Sequence, residues 1–124
     1  MSDLITWLRA QLDEDERVAQ KCAAVGDFRW AESEDPTEPD GRVVDGQGRV
    51  VVWDDGANLS GHIARHDPAR VLAEVAAKRQ LIESMVESMV ETMEGDYAPW
   101  NEDYLMVLAL PYADQPGYLE EWRP

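Results

Sequence analysis

Two histidines four residues apart, His62 and His66, with Asp67 directly after the second, are the residues best spaced to hold a metal ion, because such a pair can share one helical face. The set stops short of a site. Zinc takes three or four ligands, Cys22 is the single thiol, and Asp67-Pro68 interrupts any helix through the pair, so no metal and no cofactor is expected. A metal-dependent enzyme using His62, His66 and an aspartate stays open as an alternative. Asp54 and Asp55 follow the most β-prone run, where enzymes often project carboxylates, but Asp-Asp-Gly is also ordinary turn chemistry. Cys22 closes an apolar helical stripe with only Lys21 beside it, which reads as a small core residue rather than a thiolate nucleophile. The sequence has no Gly-x-Ser-x-Gly elbow, no phosphate-cradling glycine loop and no His-Glu-x-x-His helix. No catalytic residue is assigned, and the chain is not expected to be an enzyme.

A more persistent pattern lies in Ile82 to Met93, which reads IESM-VESM-VETM. Identical positions advance by slightly more than one helical turn, so the apolar band drifts around the helix. Glu83, Glu87 and Glu91 recur every four residues, a like-charge spacing that costs a helix roughly 0.2–0.5 kcal/mol per pair. Met85, Met89 and Met93 repeat beside them. A methionine stripe at helical spacing is most often core, and a charge run is most often a solvated face. The sharper reading makes Glu83, Met85, Glu87, Met89, Glu91 and Met93 a partner-binding surface. It would reject a parallel copy of itself and favour either an antiparallel homodimer through the long helix or a protein partner with a basic surface.

Charge over the whole chain agrees with a basic partner. Lys and Arg number 11 against 26 Asp and Glu, a formal charge of −15, and from Gln80 to Trp122 there are ten acids and no Lys or Arg. Direct nucleic-acid binding is disfavoured, since a phosphate backbone would be repelled. The same carboxylates, rising about 6 Å per repeat, raise a second alternative, a DNA-mimic inhibitor of a nucleic-acid-binding enzyme. Hydrophobic residues make up 44%, with five Trp and four Tyr, too much apolar material for an acidic disordered chain. One folded domain over 1–124 is expected, burying roughly two-thirds of its unfolded surface. The longest apolar stretch, Tyr104 to Ala113, is about half a membrane span, so no membrane partner is expected. A single cysteine and an N-terminus without a signal-peptide pattern point to the cytoplasm.

Several elements must position these residues. Ser2 reads as the cap of a helix from about Asp3 to Ala24, with Leu4, Ile5, Leu8, Leu12, Ala19 and Cys22 as its stripe and Asp13 to Glu16 as a solvent-facing turn. Gly26 stops it. Asp27 to Ala31 alternates as a first strand, and Glu32 to Gly41, rich in Pro and carboxylates, is expected to be a mobile loop. Arg42 to Asp45 and Arg49 to Asp54 flank Gly46-Gln47-Gly48 as a hairpin, both glycines being expected at positive φ. The unbroken run Val50 to Trp53 predicts a central strand covered on both faces, with Trp53 its buried anchor. Ser60 is expected to cap a short helix through Arg65, and Asp67-Pro68 to start a helix running to about Glu94, stopped by Gly95. Asn101 is expected to cap a last helix from Glu102 to Leu110. The class is α+β: an N-terminal helix, a three-stranded antiparallel sheet, a long helix and a short C-terminal helix.

Three blocks, Trp7 to Glu16 (WLRAQLDEDE), His62 to Leu72 (HIARHDPARVL) and Ala109 to Tyr118 (ALPYADQPGY) with Glu120 to Pro124 (EEWRP), resemble a family of small actinobacterial and actinophage proteins of unknown function. Such proteins carry an Ala-Thr-Pro-Gly-Pro-Trp-type junction after the first helix. Here Ala23 to Phe28 keeps only the glycine and an aromatic. The resemblance implies a bacterial or phage cytoplasmic accessory protein and supplies no catalytic residue. The expectation is a non-enzymatic acidic protein-interaction module.

Overall fold

A computed structural model describes residues 2–22, 27–35, 41–53, 59–91 and 99–124, the side chains of 90, 91 and 99–101 excepted. In chain order they form α1 (Ser2–Lys21), β1 (Trp30–Glu32), β2 (Arg42–Asp45), β3 (Val50–Trp53), α2 (Ser60–Arg65), α3 (Pro68–Glu91) and α4 (Pro99–Ala109). Turns of 3-10 helix follow at Leu110–Tyr112 and Glu120–Trp122. This is the expected α+β class. Gly26, residues 36–40 of the acidic loop, Asp54 to Gly56, and Met93 to Gly95 lie outside the described residues. The chain divides into two compact units, one of residues 15–75 and one of 1–14 with 76–124.

In the unit of 15–75 the sheet is antiparallel throughout, in the order β1-β2-β3. The central strand is therefore β2, whose Val43 is fully buried, and not the valine-rich β3 as its composition predicts. Trp53 is 62% exposed, with the Arg42 guanidinium 3.9 Å above its ring, so it is no buried anchor. The reason is a bulge. Val43 opposes Val52 and Val44 opposes Val50, which leaves Val51 without a partner across the strand pair. An extra residue breaks the two-residue alternation, so β-branched residues in a row mark an irregular edge strand here.

Asp45 organises the hairpin. Its side chain is fully buried, Oδ1 accepts the amides of Gln47 (2.9 Å) and Arg49 (3.0 Å), and Oδ2 accepts Arg49 Nε (3.0 Å). Gly48 supplies the left-handed position at φ 78°, and Gly46 does not share it. Burial by itself raises the Asp45 carboxyl, but hydrogen bonds from the Arg49 and Gln47 amides, then the Arg49 guanidinium and its charge, hold it net below the usual value. A carboxyl lowered by folding stabilises above its unfolded pKa of about 3.9, and that contribution is lost as pH falls through the lowered folded value. The melting temperature of Asp45→Asn should therefore lie below the parent's at neutral pH and converge with it in acid. A gap that stays constant to about pH 2 would show that the charge is not what stabilises the turn.

The first strand starts later than its alternation predicts because residues 27–29 spend their hydrogen bonds elsewhere. Asp27 Oδ1 accepts the Arg29 amide (3.2 Å), and the Phe28 carbonyl accepts the Ala69 amide (3.0 Å). Asp67 caps α3 as expected: Oδ1 accepts the Arg70 amide at 2.8 Å, while Oδ2 accepts the Trp30 amide at 3.0 Å, tying helix to strand. Ser60 is not a cap. Its buried hydroxyl donates to Glu32 Oε1 at 2.8 Å, and Leu59 takes the cap position without a side-chain bond. The acidic loop is tied at its start, where the Ser33 amide donates to the Arg42 carbonyl at 2.9 Å.

In the unit of 1–14 and 76–124, Leu4, Leu8 and Leu12 of α1 recur every four residues and are buried, as are Ile82 and Met85 of α3, Leu105 and Ala109 of α4, and Trp122. Asp13 is not simply solvated but pairs with Arg79 at 2.6 Å. The last helix begins at Pro99 rather than at an Asn101 cap, since proline lacks the amide that a first turn leaves unpaired anyway. Trp7, Tyr118 and Trp122 form one aromatic cluster with ring centroids 5.4–5.8 Å apart, and Trp7 Nε1 donates to the Pro116 carbonyl at 3.1 Å. Gly117 sits beneath it at φ 88°, where a β-carbon would lie 2.9 Å from Trp7 Nε1.

Candidate functional site

The C-terminal half of α3 turns three kinds of face. Ile82 and Met85 point into the unit of 1–14 and 76–124, Met89 is half-buried, and Glu83 and Glu87 are exposed. The glutamates are not equivalent, because Glu83 pairs with Arg9 of α1. A regular ladder of unengaged carboxylates therefore loses its first rung. The Glu91 side chain and Met93 lie outside the described residues.

Met85 is buried at 8% exposure and also walls a groove of about 350 Å³, together with Leu81 of α3 and Tyr104, Val107 and Leu108 of α4. None of these five carries a charge. The four residues besides Met85 had no place in the surface expected from sequence. Leu81 precedes the four-residue repeat, and the run Tyr104 to Leu108 reads as cover for α3. A signal was present all the same: that run is apolar around most of a helix, more than one buried face requires.

Around the groove the charge is one-sided. Residues 1–14 and 76–124 hold four Lys and Arg against thirteen Asp and Glu. Each cation is engaged inside this unit: Arg9 by Glu83, Arg79 by Asp13, Arg123 by Glu120 at 2.9 Å, and Lys78 over the Tyr112 ring at 5.6 Å. The bond and charge of Arg123 hold the Glu120 carboxyl below its ordinary value. Beyond the acids paired above, the exposed acids of this unit include Asp3, Glu14, Asp114 and Glu121, with Glu87 on α3 and Asp103 on α4.

The other candidates belong to residues 15–75. The rings of His62 and His66 stack at 4.3 Å between centroids, and His66 Nδ1 donates to the His62 carbonyl at 2.9 Å. They do share a face. Asp67, the nearest third ligand, has both oxygens engaged by amides, and no group of three metal-ligating side chains occurs among the described residues. Cys22 is half-buried, with Sγ 3.8 Å from the Val18 carbonyl, rather than fully in the core. Asp54 and Asp55 lie outside the described residues. Among the described residues no helix is long and apolar enough to cross a membrane.

These features define an α+β protein of acidic surface with an apolar groove between two of its helices. The chain belongs to DUF6221, a family of unknown function, which matches it over residues 1–124. No curated protein and no solved structure matches it.

Proposed function

We propose that the chain is a non-enzymatic protein-interaction module, an accessory protein of the bacterial or phage cytoplasm, which binds a basic patch on a partner protein through the C-terminal half of α3 and the adjoining α4. The observation that carries this reading is the complete internal engagement of the four cations of the unit of 1–14 and 76–124, against thirteen acids. An excess field of one sign attracts a cationic surface, speeds its encounter and repels nucleic acid. Met89 on α3 and Asp103 on α4 are the central contacts, and Glu87, two positions from Met89 on another side of α3, contributes to the field.

The test is affinity capture with the full chain from the native host at low and high salt, followed by the Glu87→Lys, Asp103→Lys double variant. A partner with a basic surface should be retained at low salt, released at high salt, and bound at least about tenfold more weakly by the double variant. Capture indifferent to both salt and charge reversal would overturn the reading.

A further inference from the structure

We infer that the apolar groove between α3 and α4 seats one apolar side chain of an amphipathic helix from the basic partner, with that helix's Lys or Arg residues set toward Asp103. The inference rests on the function proposed above and adds what the partner inserts and in which direction. Leu81, Tyr104 and Val107 are 44%, 54% and 52% exposed, a cluster of large apolar groups left in water on one side of the unit of 1–14 and 76–124. Leu81 to Met85 and Tyr104 to Leu108 are each one helical turn, about 6 Å, so the groove admits a single anchor rather than a whole helix. With no charged group in its lining, a polar occupant would be left unpaired there.

The two ends differ. Lys78 lies one turn before Leu81 and reaches the Tyr112 ring, itself one turn after Leu108, so this end already carries a cation. Asp103 is exposed immediately before Tyr104, and it marks the acidic end. Charge complementarity therefore selects an occupant whose cations flank the anchor on the Asp103 side. A second copy of this chain would oppose two strongly acidic surfaces with no unengaged cation in this unit to offset them.

The experiment uses the full chain and two synthetic amphipathic helical peptides, one with a leucine anchor and lysines around it, the other with that leucine replaced by serine. The leucine peptide should bind at least about tenfold more tightly and shift the amide resonances of Leu81, Met85 and Val107. Val107→Ser, at a half-exposed position, should abolish that preference while leaving the melting temperature nearly unchanged. Asp103→Asn should weaken the leucine peptide, and Lys78→Gln should not. If both peptides bind equally, in a salt-dependent way that Val107→Ser does not alter, the groove is overturned and the charge-based reading stands. If neither peptide binds at low salt, both fall. A parent chain that sediments as a dimer, made monomeric by Val107→Ser, would mean that a second copy fills the groove, and would overturn the inference.

Discussion

Replacing Trp122 by alanine should lower the unfolding free energy by about 3–5 kcal/mol. The indole is 7% exposed and packs against Trp7 at 5.4 Å and Tyr118 at 5.8 Å, so truncation leaves a cavity lined by two rings that cannot collapse into it. Tilted and edge-on aromatic pairs each add about 0.5–1.5 kcal/mol beyond buried area. Against a total stability of about 5–15 kcal/mol, the loss is a large share of what keeps the fold. Denaturant melts of Trp122→Ala and Trp122→Phe check it, the phenylalanine variant being expected to retain most of the stability. A loss below about 1 kcal/mol in the alanine variant would show that the cluster is peripheral.

The second large effect is expected at Asp67. One carboxylate oxygen caps α3 through the Arg70 amide and the other holds the Trp30 amide at the start of β1. Losing a cap costs about 1–2 kcal/mol, and a hydrogen bond to a charged group is worth about 1.5–3 kcal/mol. Asp67→Ala should therefore cost about 2–4 kcal/mol, less than the upper sum because water can reach a half-buried amide. Asp67→Asn separates the two roles: its one carbonyl oxygen can cap the helix or hold the strand, and about half the loss should return. Equal losses in both variants would mean that charge, rather than the two-way bridge, is what matters.

What could be read from the residues follows from how local the governing physics is. The helices were legible because Leu4, Leu8 and Leu12 repeat at the period that α1 imposes, and because Asp67-Pro68 is an explicit start signal whose bonds span three residues. The hairpin was legible in Gly46-Gln47-Gly48. The centre of the sheet was not, since whether Val50 to Val52 lie inside or at an edge depends on a bulge and on which strand pairs with which, and neither is local. Ser60 illustrates the same limit, its hydroxyl being claimed by Glu32 from another element. For the candidate site, the glutamate and methionine spacing drew attention to α3 and carried no sign of the groove beside it. The groove is made by α4, and only tertiary packing decides that Leu105 turns inward while Tyr104 and Val107 remain outside.

The cluster of Trp7, Tyr118 and Trp122 also bears on how the chain is made. A unit closed by residues more than a hundred positions apart cannot be completed while translation is still in progress through its middle, whereas residues 15–75 are contiguous and can close as soon as they emerge. At about 5–20 residues per second, Trp7 of α1 waits about 5–20 s for Trp122 to be synthesised. During that interval Trp7 lacks the two rings that complete its cluster. The yield of folded chain should therefore depend on elongation rate as well as on finished stability.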